Sequence, residues 1–387
     1  MVGADGSGSL TNSLRIEELC DGHTFVEAHL LTEQRWNFGP MTDFALSQRR
    51  LLVYLRSLVA SGRVSAIRVG DPYYLGLLGY LLSRPCGLPL TLRVASDYDA
   101  AYEKTGLPAY PRLIRSRRLE KRIERFVLRR AKLIVAPNLA YQSFAVTNGA
   151  RPERCEIVPF GGLLHPAHFD EPPDRSSVRA EAGLGLGPLV VSVMRLEPVK
   201  HAVDLVDVLD LVRRDCPDAI FAVVGDGSQR EEIRARVGLL NLDDSFILLG
   251  HRSQRWIASL LAEADVVAAP MMGRALVEAA LSGTPVVAYD VDWHGELISN
   301  EETGLLVPFG DREAMAGAVL RLLASPTSAA LLGSRARHAA MDTMSREAVS
   351  RVERDAWLRV LPQVGTAKSG TDPSLVGGAL EQTMDRE

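Results

Sequence analysis

From residue 189 onward, short apolar runs alternate with amphipathic stretches. The runs are 189–194, 220–224, 246–249, 266–269, 286–288 and 305–307, each rich in Val, Ile or Leu and closed by Gly, Pro or a polar residue. They are too short for helices, and their continuous apolarity predicts strands buried on both faces. Between them, 202–213, 229–239, 255–264 and 314–323 carry helical spacing. Six such strands with intervening helices predict a parallel, doubly wound sheet.

The first half repeats the rhythm more faintly. Strands are predicted at 25–31, 66–69, 90–94, 133–136 and 156–158, and helices at 43–60, 74–82, 112–130 and 141–148. Residues 165–188 are loaded with Pro, Gly and Asp, as a linker would be. The organisation read from this is an N-terminal domain over 1–168, a C-terminal domain over 169–344, and a terminal segment over 345–387. In that last segment an amphipathic helix at 345–361 returns to the first domain and a polar tail follows.

Length and composition fit this scheme. A chain of 387 residues, 47% apolar and 24% charged, suits two soluble α/β domains. A net charge of −4 gives no global pull toward nucleic acid. Cys20, Cys86, Cys155 and Cys216 are scattered, without the spacing of a metal site, and are read as reduced thiols. The polar start lacks an apolar signal core, and no stretch is long enough to span a membrane, so a cytoplasmic location is expected.

Open α/β sheets bind ligands beyond the C-terminal ends of their strands. After the run at 189–194 come Arg195 and, five positions on, Lys200 at the mouth of a helix. Two cations there form a clamp for a diphosphate. Gly225-Asp226-Gly227 follows the next run and reads as a structural turn. After 266–269, Gly273 allows close backbone approach to a ligand as a helix begins, with Arg274, Ala275 and Leu276 in its first turn. Glu278 lies one turn further on, either to hold ribose hydroxyls or as a plain glutamate on the helix surface.

Together these residues resemble the nucleotide-sugar-binding domain of GT-B glycosyltransferases, specifically retaining family 4. The matches are Arg195 with Lys200, the Gly225–Gly227 turn, Gly250-His251-Arg252 as the base-binding loop, and Glu278 with Ala279, Gly283, Pro285, Val286 and Val287. Gly304 to Pro308 matches the family's next strand. The resemblance implies two Rossmann-like domains facing across a cleft. It implies transfer of a sugar from a nucleotide diphosphate sugar to an acceptor hydroxyl, with retention and with neither metal nor cofactor. It makes Arg195, Lys200 and Glu278 catalytic, and His251, Arg252, Gly273, Arg274, Ala275 and Leu276 donor-binding.

Three positions depart from the family pattern. Pro270 stands where the first Glu of its signature pair contacts the donor sugar. The stretch 93–99 lacks the His often found near the reacting centre. The chain has Gly3 to Gly8 but no strand before them, so the family's first unit is lost or degenerate. A binding protein without turnover is therefore the competing reading; a phosphorylase-type enzyme fits less well, because the chain is short and has no evident cofactor lysine.

Two further features invite function. Asp97 and Asp99 are expected to line the acceptor cleft, and Asp292 or His294 to contact sugar hydroxyls in place of a Glu at 270. Trp293 beside them could equally plug a gap over the sheet. The segment from Arg112 to Lys132 holds ten Lys/Arg against two Glu. It is either a packed helix with a solvated basic face or a surface for anionic lipid or an anionic acceptor.

Overall fold

The computed structural model describes residues 14–20, 23–28, 40–110, 113, 114, 116–170 and 178–361. The Gly3–Gly8 stretch and the tail after Pro362 lie outside them. The strands are β1 Leu14–Cys20, β2 His23–Ala28, β3 Ile67–Val69, β4 Leu90–Arg93, β5 Leu133–Ala136 and β6 Cys155–Ile157. They continue with β7 Leu189–Val193, β8 Ile220–Val224, β9 Phe246–Gly250, β10 Val266–Ala269, β11 Val286–Tyr289 and β12 Leu305–Val307.

β7 to β12 form one parallel sheet in the order β12-β11-β10-β7-β8-β9. The order runs outward from β7 to β9 on one side and from β10 to β12 on the other. The chain thus reverses direction between adjacent β7 and β10, where Val190 faces Val266 and Val191 faces Val267. Every residue of β7, β10 and β11 is buried, as a sheet covered on both faces requires. The helices Asp204–Asp215, Arg230–Leu239, Gln254–Glu263 and Ala275–Ser282 connect these strands, and Arg312–Ala324 follows the last of them. Local side chains set several starts: Ser253 accepts from the Trp256 amide and Asp311 from Ala314.

A second sheet has the order β3-β4-β5-β6, with β3/β4 and β5/β6 parallel. The expected strand at 25–31 does not join it. Its residues 25–28 fall in β2, which pairs antiparallel with β1 in a separate two-stranded sheet, and 29–31 lie outside the described residues. A strand does form there, but a hairpin partner only a few residues upstream pairs with it. Among the described helices of eight residues or more, two were not foreseen: Tyr98–Thr105, and Pro326–Met344, which packs Gly333 against the Gly283 carbonyl so closely that a Cβ would sit 2.0 Å from its oxygen.

The chain divides into two compact units, residues 1–93, 110–133 and 358–387 in one, and 94–109 and 134–357 in the other. Within the smaller, the helix Arg117–Arg130 buries Glu120 and Glu124. Tyr73 Oη donates to Glu124 at 2.5 Å, and Tyr110 Oη donates to Asp71 at 2.7 Å. The larger unit carries the predicted donor site. Among the described residues no single helix is long and apolar enough to cross a membrane.

Candidate active site

The reversal between β7 and β10 sends the loops after these neighbouring strands to opposite sides and opens a crevice at their C-terminal ends. Arg195 stands exposed just beyond β7. Lys200 closes a short 3-10 turn, Pro198–Lys200, and His201 follows in the left-handed region at φ 56°. This turn brings Lys200 across to the loop after β10, where its Nζ lies 3.7 Å from the point a Cβ on Gly273 would occupy. Lys200 and the Gly273 turn therefore meet at this edge.

The Gly225–Gly227 turn shapes this edge. Gly225 has φ 135°, and a Cβ there would lie 1.9 Å from the Met194 carbonyl oxygen. The Leu196 amide donates to Asp226 O at 3.0 Å, and Glu197 accepts from Ser228 Oγ at 2.6 Å. That last bond holds the Glu197 carboxyl below its usual range. The turn is a seat for the Arg195 loop, as its sequence suggested.

Beyond β10, Pro270 is buried, and the helix Ala275–Ser282 begins after Gly273 and Arg274. The Leu276 amide donates to Gly273 O at 3.0 Å, so the expected donor contact from Leu276 is already spent within the turn; its side chain is fully buried. Ala275 is half-buried in that first turn. Glu278 is 3% exposed, with its carboxylate 3.6 Å from Arg274 Nε and 3.9 Å from His168 Nε2. His168 was not singled out in the sequence; it is buried and its Nε2 lies 3.0 Å from Gln254 Oε1. His251 and Arg252 are exposed after β9, and the Arg252 guanidinium sits 5.2 Å over the Trp256 ring.

The loop after β11 resolves into separate parts. Trp293 is 2% exposed and packs against Phe160 with the ring centres 5.4 Å apart and the planes tilted by 49°, so it fills space. His294, expected to reach sugar hydroxyls, is instead fully buried. Its Nδ1 lies 2.9 Å from Tyr289 O and its Nε2 2.9 Å from Met272 O, which leaves no ring edge for a sugar. Burial depresses its pKa, the two carbonyls and Asp292 oppose that, and the Lys200 charge reinforces it.

Asp292 is exposed in the left-handed region at φ 54° and accepts from Tyr141 Oη at 3.2 Å. Burial, then Asp292, push the Tyr141 phenol well above its ordinary pKa. Glu296, which carried no sequence signal, accepts from the Leu139 and Ala140 amides at 2.6 and 2.8 Å, at the start of the helix Leu139–Thr147. Asp97 caps the helix Tyr98–Thr105 through the Asp99 and Ala100 amides, and Asp99 accepts from Asn148 Nδ2 at 2.8 Å. Both expected acceptor carboxylates are thus at least partly engaged in local structure. A separate cavity of about 1060 Å³, lined by Gly187, Pro188, Asp265 and Thr284, opens at the N-terminal ends of the strands, away from this chemistry.

The model for glycosyl transferases group 1 matches residues 176–339, and that for a glycosyl transferase 4-like domain matches 26–161. The chain is similar to the 2-deoxystreptamine N-acetyl-D-glucosaminyltransferase of Streptomyces fradiae, 29% identical over 73% of this chain and 65% of that protein. It is 30% identical to the D-inositol 3-phosphate glycosyltransferase of Rhodococcus erythropolis over 68% of this chain and 61% of that one. The match thus spans under two thirds of each relative's length. The structure of Anabaena HepE in complex with UDP superposes with a TM-score of 0.69 at 21% identity, covering 81% of this chain and 84% of that one. Sucrose-phosphate synthase from Thermosynechococcus elongatus gives 0.71 at 20% identity, covering 89% and 85%.

Proposed function

For a chain that belongs to the glycosyl transferases group 1 family and has the GT-B fold, we propose the activity of a glycosyltransferase that takes its sugar from a nucleotide diphosphate sugar. The single observation that carries this is the meeting of Lys200 Nζ with Gly273 at the reversal between β7 and β10. Breaking the glycosyl–phosphate bond builds negative charge on the departing diphosphate. Arg195, Lys200 and the free amides of the Gly273 turn stabilise that charge most in the transition state. Glu278, one turn further on, receives the ribose hydroxyls, and the loop of His251 and Arg252 receives the base. With the protein's own cations on the leaving group, transfer needs no metal or cofactor. The diphosphate oxygen then accepts the acceptor's proton, and the reaction proceeds with retention.

Asp292 takes over part of the sugar handling that a Glu at position 270 would provide. It is exposed, and it holds a backbone conformation that favours glycine. Asp97 and Asp99 line the acceptor side. The helix Arg117–Arg130 supplies a surface contact with anionic lipid. Arg118, Arg122, Arg125 and Arg129 are exposed along one face of it, and among the described residues no carboxylate pairs with them.

Nucleotide release from a panel of UDP-, GDP- and TDP-sugars tests the activity, with calorimetry of the wild type and of Arg195→Ala/Lys200→Ala. Release by the wild type and loss of nucleotide affinity in the double variant are expected. Unchanged affinity in that variant removes the clamp. Tight binding without release, in the presence of diverse sugar acceptors, favours the alternative of a nucleotide-sugar-binding protein without turnover.

A further inference from the structure

His294 differs from an ordinary buried histidine in what its two nitrogens face. Each ring nitrogen lies 2.9 Å from a backbone carbonyl oxygen, Nδ1 from Tyr289 and Nε2 from Met272. A neutral imidazole carries one N–H and one lone pair, so it can donate to only one of them. The other contact then sets a nitrogen lone pair against an oxygen lone pair. Only the imidazolium donates to both. The ring is fully enclosed, so water cannot stand in for the missing partner.

The two carbonyls are not equivalent in place. Tyr289 ends β11, a buried strand of the sheet, whereas Met272 O belongs to the peptide that leads into Gly273. The ring therefore ties the Gly273 turn to the sheet. The turn's other near neighbour is Lys200 Nζ. Three charged or titratable groups meet here from two segments: Lys200 from the loop after β7, and Asp292 and the ring itself from the loop after β11. The Lys200 ammonium opposes a second positive charge, and Asp292 favours one.

We propose that His294 is a positioning residue that fixes the Gly273 turn against the diphosphate, and that it takes up a proton from solvent when the diphosphate binds. This rests on the donor reading given above. The diphosphate's negative charge offsets the repulsion from Lys200, so the second N–H becomes favourable and the turn is held at both carbonyls. The affinity is expected to be about tenfold tighter at the acidic end of the profile than at the alkaline end.

Calorimetry of UDP-glucose and GDP-mannose at pH 7, in two buffers of different ionisation enthalpy, counts the protons taken up. These ligands are chosen because their diphosphates carry no group that titrates near neutrality. The expected result is fractional uptake by the wild type, none by His294→Gln, and a weaker affinity in that variant that no longer changes with pH. Arg195→Ala should abolish binding whatever the pH. If neither nucleotide sugar binds, or if Arg195→Ala binds normally, the donor reading itself fails and takes this inference with it. If the wild type binds and Arg195→Ala does not, yet uptake is absent or persists in His294→Gln, the donor reading stands and the role of His294 is overturned. Should His294→Gln not fold, histidine ring NMR of the wild type decides: the same titration midpoint with and without ligand overturns it.

Discussion

Replacing Gly225 by Ala should cost the larger unit much of its stability and the donor site its shape. At φ 135° an L-residue is strained by about 1–3 kcal/mol, and the new Cβ would lie 1.9 Å from Met194 O and 2.9 Å from Met194 C. The obstacle is backbone at the end of β7, so it cannot swing aside as a side chain would. Forcing an extra methyl into such packing adds about 1–3 kcal/mol. A total of about 2–6 kcal/mol corresponds to roughly 4–24 °C in Tm for a domain of this size. Gly317 is the matched control: it lies inside the helix Arg312–Ala324 with nothing within 4 Å of a built Cβ. Gly317→Ala should raise Tm by about 1–4 °C, from about 0.5–1 kcal/mol of helix propensity. Thermal unfolding followed by circular dichroism measures both, and calorimetry of nucleotide binding reports whether Arg195 has moved. A Gly225→Ala protein melting within a degree of wild type would show that the seat of the Arg195 loop has been misjudged.

Three other expectations follow from the same geometry. Because burial holds the His294 pKa below the ordinary value near 6.5, the unfolded chain takes up a proton as pH falls through that range while the folded chain does not. The ligand-free protein should therefore lose up to about 1.4 kcal/mol per pH unit below pH 6.5, and a melting series at pH 7.5 to 5.5 should show a shallower fall for His294→Gln. Asp292→Gly removes a left-handed strain of about 1 kcal/mol, so it should melt no lower than about 1 °C below wild type while turnover drops far more than nucleotide affinity, and Asp292→Asn should show the same kinetic split. Near-normal turnover in both would reduce Asp292 to a loop residue. Changing Arg118, Arg122, Arg125 and Arg129 together to Gln should weaken co-sedimentation with anionic vesicles by about 10³-fold, at about 1 kcal/mol per cation; a wild type that stays in the supernatant at low salt ends the lipid contact.

Much of the C-terminal sheet was legible in the chain alone. Its six strands are runs apolar on both faces, and that composition has no other stable use once helices alternate with it. The local devices were legible too, since a glycine at Gly225 or Gly273 acts on neighbours a few residues away. The pairing of the strand predicted at 25–31 was not, because a strand pairs with whichever edge reaches it first. For β2 that edge was β1.

The site divided along the same line. Arg195 and Lys200 announced themselves by following a strand, but spacing alone gave them no partner. The reversal of strand order between β7 and β10 decided that Lys200 lies against Gly273. His294 and Asp292 sit two positions apart in one loop and were read together as polar groups facing a sugar. Packing separated them, burying the imidazole between two carbonyls and leaving the carboxylate exposed. Glu296 shows the limit most plainly, because its partners, the Leu139 and Ala140 amides, lie over 150 residues away. Sequence determines which residues can carry charge, bend the backbone or fill a core. Which of them meet depends on contacts between distant segments, and those exist only once the chain has folded.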